Sequence, residues 1–331
     1  MKLKKSVLGA LISVAIGLGT AGQATASIYA GSAGTFDNFT VTIDPFAGAV
    51  ISDFNSNSTN TAQLNNGAVD ATGGNCGGTI AVNNCGTAPN VLAPGAANAA
   101  GGTVTRADTD YTTTFGPGTD QYANSNSRIE AAQLVDFIPT AGQLISEAEI
   151  QGGTSAAANA ELSSQTNFTF NFTVTDAGTM TIAFDATKYL LAAINDATAE
   201  TAGARASIET RFTLQQNSGG SDFWQWSPQG DGTGCVTNLA GGCNVTSSAF
   251  DLNDSAQTGT LPVSSDDQSF AGSGFFSANT GPTLLSAGDY SLTLFNKVSA
   301  VVSRTVPEPS TLFLLGAGLA GFGLTRRRKK S

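Results

Sequence analysis

Residues 167–185 read Asn167-Phe-Thr-Phe-Asn-Phe-Thr-Val-Thr-Asp-Ala-Gly-Thr-Met-Thr-Ile-Ala-Phe-Asp185, and this stretch decides the fold class. Apolar side chains occupy every second position from Phe168 to Val174 and again from Met180 to Phe184. A period of two is typical of a β-strand with one buried face. Gly178 lies between the two runs, where a glycine suits the positive φ of a short loop. The stretch predicts an antiparallel hairpin at the centre of the core.

Similar alternation recurs along the rest of the chain. Further strands are predicted over residues 35–43, 128–137, 144–150, 204–215, 268–277 and 290–298. Abundant Thr, Ser, Asn and Gly, with little Lys or Glu, weigh against a helical body. We therefore predict an all-β fold, a single antiparallel β-sandwich of jelly-roll-like form.

Residues 55–126 interrupt this pattern. They are rich in Asn, Gly, Ala, Ser and Thr and have no sustained apolar periodicity. Such composition predicts long surface loops or an insertion, with at most short strands.

The amino-terminal segment has the three parts of a signal peptide. Basic residues from Lys2 to Lys5 precede an apolar run over residues 7–19, and Ala24-Thr25-Ala26 forms a small-x-small cleavage site. We expect residues 1–26 to direct export through the Sec machinery. Signal peptidase would then release a mature chain that begins at Ser27.

The carboxyl-terminal segment, residues 306–331, also has three parts. Pro307 and Pro309 flank Glu308 and keep the chain extended. The apolar residues 311–325 follow, and as a helix they would span roughly 23 Å, short of the ~30 Å hydrocarbon core. A cationic cluster that stops membrane passage ends the chain, and it consists of Arg326, Arg327, Arg328, Lys329 and Lys330. This order predicts a short transmembrane helix with the body, residues 27–305, outside the membrane.

The same order of parts resembles the PEP-CTERM sorting signal of Gram-negative bacteria, which membrane proteases called exosortases recognise. The resemblance implies processing at Pro307-Glu308-Pro309 by an exosortase, transient anchoring in the inner membrane, and delivery to the cell surface or the extracellular space. It further implies a structural or adhesive role in a biofilm or with exopolysaccharide. The body is similar to uncharacterised exosortase-associated surface proteins, but no motif in it carries that likeness.

Charge and histidine content exclude several classes of function. The body has 24 acidic and 7 basic residues, a net charge of −17, which disfavours nucleic acid and anionic lipid as partners. The acidity either recruits divalent cations or keeps an exported protein soluble. Because the chain has no histidine, Ser-His-Asp catalysis, Cys-His catalysis and histidine-ligated metals are excluded.

The four cysteines form two local pairs in an exported chain. We expect disulfides between Cys76 and Cys85 and between Cys235 and Cys243, although three connectivities exist for four cysteines. A zinc site would need closer spacing of the ligands.

Three groups of side chains are candidates for a site. Glu147 and Glu149 share one strand face, as the acid and base of a glycosidase, as calcium ligands, or as an ordinary solvated face. Trp224 and Trp226 share another face, either as core or as a ligand surface for sugar rings. Carboxylates at Asp251, Asp254, Asp266 and Asp267 are either ordinary solvated loop charges or a calcium loop, which they resemble only loosely because the EF-hand glycine and glutamate are absent.

We therefore expect no catalytic residue and no cofactor, with calcium as the one candidate ion. The alternative function is a secreted carbohydrate-binding or carbohydrate-active enzyme, with Glu147 and Glu149 as its acid and base.

Overall fold

The computed structural model describes residues 26–44, 49–79, 90–131, 139–151, 157–196, 199, 201–217, 220–246, 250–281 and 285–305. Within these ranges the chain is all-β and contains no helix. The strands are β1 (Ser27–Asp44), β2 (Ala49–Leu64), β3 (Asp70–Thr79), β4 (Asn90–Leu92), β5 (Ala97–Asn98), β6 (Tyr122–Ala131), β7 (Pro139–Gln151), β8 (Ala157–Val174), β9 (Thr179–Asn195), β10 (Thr201–Gln216), β11 (Phe223–Trp226), β12 (Cys235–Thr237), β13 (Asn244–Thr246), β14 (Asn253–Thr258), β15 (Val263–Asp267), β16 (Phe270–Asn279) and β17 (Gly288–Thr305).

These strands form two antiparallel sheets packed as a β-sandwich, which confirms the predicted fold class. The first sheet has the order β13-β16-β9-β1-β7-β6-β4, with β15 also paired to β9 and β5 to β6. The second sheet has the order β12-β11-β10-β17-β8-β2-β3, with β14 also paired to β10. The central strands β1, β8, β9 and β17 have 17 or 18 residues each, longer than the predicted segments.

The predicted hairpin over residues 167–185 is wrong in its pairing. Both strands form, but β8 pairs with β17 and β2 in the second sheet, whereas β9 pairs with β1 and β16 in the first. The chain between them crosses from one sheet to the other, so the two apolar faces meet across the core. Gly178 does not have the predicted positive φ. A glycine is needed there because a Cβ atom would lie 2.9 Å from the carbonyl oxygen of Asp44.

Aromatic side chains fill one part of the space between the sheets. Phe184 lies at its centre, with ring centroids 5.4 Å from Phe212, 5.4 Å from Phe276 and 5.8 Å from Trp226. Phe168, Phe170 and Phe172 on β8 are also at most 3% exposed. Burial contributes about 1.5–3 kcal/mol for each such side chain, so this cluster is the main hydrophobic core.

Serines fill another part of the space between the sheets. Ser32 Oγ on β1 donates to the carbonyl oxygen of Ser299 at 2.9 Å, and Ser125 Oγ on β6 donates to that of Thr61 at 3.0 Å. Ser164 Oγ on β8 donates to the carbonyl oxygen of Asn126 at 2.9 Å. Each bond joins the two sheets, and these three hydroxyl-bearing residues are fully buried. Short polar side chains therefore bring the two backbones within reach of single hydroxyl groups.

The prediction of loops over residues 55–126 is wrong for its first part. Residues 55–64 belong to β2, and residues 70–79 form β3. Ser56, Ser58 and Asn60 point inward and are at most 1% exposed, whereas the two residues between them are exposed. The strand has a period of two, but its buried face is polar. An irregular connection remains over residues 99–121, between β5 and β6.

Both ends of the body lie at one pole of the sandwich. Ser27 at the start of β1 pairs with Asn195 at the end of β9, and Thr305 at the end of β17 pairs with Thr201 at the start of β10. Asp196, next to Asn195, forms an ion pair with Arg304. We call this end, with Ser27 and Thr305, the terminal pole. The opposite end, with Asp44, Val174 and Gly288, is the distal pole.

Candidate functional site

The connection between β5 and β6, residues 99–121, crosses the outer face of the first sheet, and we call it the strap. Two buried asparagines of β6 hold its backbone. Asn124 Nδ2 donates to the carbonyl oxygen of Val104 at 3.1 Å, and Asn126 Nδ2 donates to that of Asp110 at 2.8 Å. Both asparagines are at most 1% exposed. The strap is therefore packed against the sheet and has defined hydrogen-bond partners.

Glu147 on β7 lies under the strap and is fully buried. Its carboxylate accepts hydrogen bonds from Tyr29 Oη at 2.6 Å, from the backbone N–H of Phe115 at 3.0 Å and from that of Gly116 at 3.2 Å. It also forms an ion pair with Arg106. A carboxylate with these partners fixes the strap to the sheet.

Arg106 is the strap's own contribution to this cluster. Its guanidinium is fully buried, with Nη1 2.9 Å from Asp110 Oδ2 and 2.8 Å from the carbonyl oxygen of Thr113. The same group lies 4.6 Å from the ring centroid of Phe115. Arginine suits this position because its planar guanidinium group donates hydrogen bonds to several acceptors at once. The strap is folded around one buried cation, and nothing in the local sequence predicted that role.

Three tyrosines, Tyr29, Tyr122 and Tyr189, lie near Glu147. Burial, together with the nearby charge of Glu147, raises the pKa of Tyr29 and Tyr122 well above the usual range. Burial also raises the pKa of Tyr189, whose hydroxyl lies 3.1 Å from that of Tyr29. These hydroxyls therefore stay protonated and act as hydrogen-bond donors.

Glu149, two residues along β7, is also fully buried but has a different environment. It accepts hydrogen bonds from the backbone N–H of Gly118 at 3.0 Å, from Gln151 Nε2 at 3.1 Å and from the Ser27 hydroxyl. Burial raises the pKa of this carboxyl group to about 7, although these hydrogen bonds act in the opposite direction. Among the described side chains, no lysine or arginine forms an ion pair with it.

The solvated strand face predicted for Glu147 and Glu149 is therefore wrong. The geometry also does not support the glycosidase alternative, because a catalytic acid and base must reach the bond between two sugars. Both side chains lie beneath the strap and are 0% exposed. In this structure both carboxylates accept hydrogen bonds from backbone N–H groups of the strap.

A cleft of about 530 Å³ opens at the edge formed by β14, β15 and β16. It contains Asp231, Asp251, Asp254 and Asp267 together with Lys188, Phe250 and Phe270. Lys188 Nζ lies 2.7 Å from Asp254 Oδ2, and the rings of Phe250 and Phe270 stack with centroids 4.3 Å apart. Four aspartates and one lysine make up the charged lining of this cleft.

The aspartates that loosely resemble a calcium loop accept hydrogen bonds from, or pair with, nearby polar groups. Asp266 accepts a hydrogen bond from the N–H of Gln257 at 2.8 Å, and Asp267 accepts one from the N–H of Ser269 at 2.9 Å. Asp254 is paired with Lys188. Within the described ranges, no three His, Cys, Asp or Glu side chains are arranged to hold a metal ion.

Trp224 and Trp226 do not form the ligand surface considered for them. Both are 0% exposed, and Trp226 packs 5.3 Å from Phe212 between the sheets. Of the two alternatives given for this pair, the structure supports core packing and not the ligand surface. The register explains this outcome, because β11 pairs with β10 and turns both indole rings toward the other sheet.

One predicted disulfide is present within the described residues. Cys235 and Cys243 are bonded, with Cα atoms 6.3 Å apart, and close the loop between β12 and β13. Cys76 is 7% exposed and is not a free thiol. Its predicted partner Cys85 lies outside the described residues.

Most of the predicted processing residues lie outside the described part of the chain. Ser27 begins β1, whereas Ala24 falls outside the described residues. Residues 306–331, which include Pro307, Glu308, Pro309 and the cationic cluster, also fall outside them. No helix in the described part of the chain has the length and apolarity needed to cross a membrane.

Comparison with known proteins identifies the carboxyl-terminal segment. Residues 305–329 match the PEP-CTERM protein-sorting motif, which confirms the resemblance and marks the chain as an exosortase substrate. No curated protein is significantly similar to the chain. In a comparison with solved structures, a chain of the "Structure of infectious bursal disease virus Gx strain" aligns with 87% of this chain and 68% of its own length at 11% identity, with a TM-score of 0.10. That likeness carries no argument, and the family of the body is not identified.

Proposed function

Because the chain carries the PEP-CTERM sorting motif, we propose that its body is a structural or adhesive component of the cell surface or of the extracellular matrix. The motif implies an exported protein that is anchored at a membrane and sorted by an exosortase. In the proposed function the released β-sandwich has no catalytic role and associates with exopolysaccharide or with neighbouring cells. Signal peptidase and the Sec machinery act before the exosortase.

The position of the motif relative to the fold carries this proposal. Thr305 is the last residue of β17, a central strand paired on both sides, and Pro307 follows two residues later. Only Val306 separates Thr305 from the Pro-Glu-Pro tripeptide in the sequence. The terminal pole therefore faces the membrane in the anchored precursor, and the distal pole points away from it.

The buried polar clusters suit a protein that works outside the cell. The strap is closed over Glu147 and Arg106, and Cys235 is bonded to Cys243. Such features reduce local opening, which limits proteolysis in an environment without chaperones. The acidic surface keeps the released body soluble until it associates with its partner.

The alternative of a carbohydrate-active enzyme has less support. Glu147 and Glu149, the pair on which it was built, bind the strap and have no exposed surface. A carbohydrate ligand would have to use another surface, and the open cleft around Phe250 and Phe270 is where aromatic and acidic side chains meet.

Fractionation of the host tests the proposal. We expect the wild-type body in the surface or matrix fraction, and the variant with alanine at Pro307, Glu308 and Pro309 in the membrane fraction. Deleting the gene should weaken cell cohesion or matrix retention, and the wild-type gene should restore it. Glu209→Gln, at an exposed position on β10, serves as the control for expression and export.

Two results would contradict the proposed role. One is a mature protein that is absent from both the surface and the matrix while the motif is processed normally. The other is hydrolysis of host exopolysaccharide by the purified body, which would favour the enzyme instead.

A further inference from the structure

Three acidic side chains are buried among the described residues, and one of them lacks a cation. Glu147 is paired with Arg106, and Asp196 is paired with Arg304. Glu149 has neither arginine nor lysine beside it, although it is 0% exposed. A buried carboxylate without a counter-charge is costly, and its elevated pKa of about 7 reflects that cost. The fold therefore has an open position for a positive charge next to Glu149.

No described side chain can fill this position. The groups that face Glu149 are the N–H of Gly118, the amide of Gln151, the hydroxyl of Ser27, the carboxylate of Asp120 and the phenol of Tyr122. The titratable members of this set are an acid and a tyrosine, and neither brings a positive charge. A cation must therefore come from elsewhere.

Ser27 provides a cation, its own α-ammonium group, once the signal peptide is removed. It is the first residue of β1 and the residue after the predicted cleavage site, it is 7% exposed, and its hydroxyl binds Glu149. Its position is fixed by pairing with Gln151 on one side and Asn195 on the other. The backbone nitrogen of a serine lies about 3–4 Å from its own Oγ, given standard bond lengths. The new amino group would thus form beside the carboxylate.

We propose that the α-ammonium group of mature Ser27 forms a buried ion pair with Glu149, so that signal-peptide removal completes the charge balance of the fold. A cleft of about 540 Å³ at this end of the sheet, lined by Ser27, Gly118, Thr119, Asn195 and Ser264, gives the ammonium group room and further oxygen acceptors. No lysine or arginine lines that cleft. The inference requires cleavage after Ala26 and does not depend on the matrix role proposed above.

The pH dependence of the two forms follows from this pairing. In the uncleaved chain the pKa of the Glu149 carboxyl group is about 7, above its ordinary value of 4.5. The uncleaved protein therefore loses stability as the pH rises from about 4.5 to about 7. In the mature chain the ammonium group lowers the Glu149 pKa, and the carboxylate raises that of the α-amino group above its ordinary ~8. The advantage of the mature form should be largest at about pH 6–8, and it should vanish when either group loses its charge.

A double-mutant cycle on the exported, processed protein tests the ion pair. One arm inserts a single alanine before Ser27, which moves the ammonium group one residue away, and the other is Glu149→Gln. At pH ~7 we expect the insertion to lower the Tm of the Glu149 protein by about 2–6 °C, and to have little effect in Glu149→Gln. Glu209→Gln, which is exposed on β10, should leave the cost of the insertion unchanged. An equal cost with and without Glu149 would overturn the proposal.

A second measurement holds even if Glu149→Gln fails to fold. The rate of acetylation of the α-amino group, followed against pH by peptide mass spectrometry, gives its pKa in the folded mature protein. We expect a pKa above 8 and a slow reaction in the folded state. An ordinary pKa of ~7.7–8.0 with the reactivity of an unfolded peptide would refute the ion pair, as would a mature chain that begins at another residue. Neither readout involves sorting or the matrix.

Discussion

Arg304 and Asp196 form a buried ion pair at the terminal pole, with Nε of the arginine donating to Oδ2 of the aspartate. Their side chains are 1% and 0% exposed. Arg304 precedes the last residue of β17, and Asp196 follows the last residue of β9. The pair therefore joins the two sheets at the point where the chain leaves the fold toward its sorting motif.

Removing one partner of this pair should destabilise the body. We predict that Arg304→Met lowers the free energy of unfolding by about 3–5 kcal/mol, because it leaves the Asp196 carboxylate buried without its cation. Urea denaturation of the mature protein measures the change. The double variant Arg304→Met with Asp196→Leu should recover most of the loss, since apolar replacements of a buried pair are often tolerated. The exposed arginine variant Arg205→Met is the control, and a loss as large there would contradict the assignment.

Phe184 is the centre of the aromatic core, and its loss should be severe. We predict that Phe184→Ala costs about 3–5 kcal/mol of unfolding free energy, because the ring contacts Phe212, Trp226 and Phe276 between the sheets. Phe275→Ala is the matched control, since that ring is 51% exposed and should change stability by no more than about 0.5 kcal/mol. Comparable losses from the two variants would mean that Phe184 is not at the centre of the core.

Arg106 should control the strap more than the sandwich. We predict that Arg106→Gln raises amide hydrogen exchange at least about tenfold across residues 99–121, because Glu147 loses its cation and the backbone contacts at Phe115 weaken. Exchange in β9 and β17 should change less. Arg205→Gln, at an exposed position on β10 in the second sheet, should leave the strap protected. Uniform exchange changes over the whole body would contradict a local role.

The disulfides should be local in sequence. We predict that non-reducing peptide mapping recovers Cys235 joined to Cys243, and Cys76 joined to Cys85. Replacing Cys235 and Cys243 with serine should cost about 2–3 kcal/mol, as expected for closing a loop of this length. Peptides that join Cys76 to Cys235 or Cys243 would refute this connectivity.

Alternation predicted the strands that have an apolar face. β9 and β10 follow the expected pattern, with Met180, Ile182 and Phe184 buried on one and Ile208, Phe212 and Leu214 on the other. The alternation could not predict which sheet each strand joins, because β8 and β9 bury the same side chains whether they pair as neighbours or face each other. Strand pairing depends on long-range contacts that a period of two does not encode.

Polar strands and the strap escaped prediction for another reason. β2 turns Ser56, Ser58 and Asn60 inward, so its buried face carries no apolar signal. Asn60 Nδ2 donates to the carbonyl oxygen of Gly95 at 2.9 Å, a partner 35 residues away that the local sequence does not indicate. Glu147 and Glu149 were correctly placed on one strand face, but their burial depends on a strap that lies 31 or 32 residues away in sequence. The pairing of a carboxylate with a distant arginine has no local signature.

Intact mass of the protein recovered from the cell surface or the medium tests the central claim most directly, namely that this β-sandwich is exported and released by an exosortase. The account predicts a chain that begins at Ser27 and ends near Pro309, without residues 312–331. In an exosortase-deficient host, the same measurement on the membrane fraction should give a chain that still ends at Ser331. A surface or secreted protein that retains Arg326, Arg327, Arg328, Lys329 and Lys330 would contradict the account.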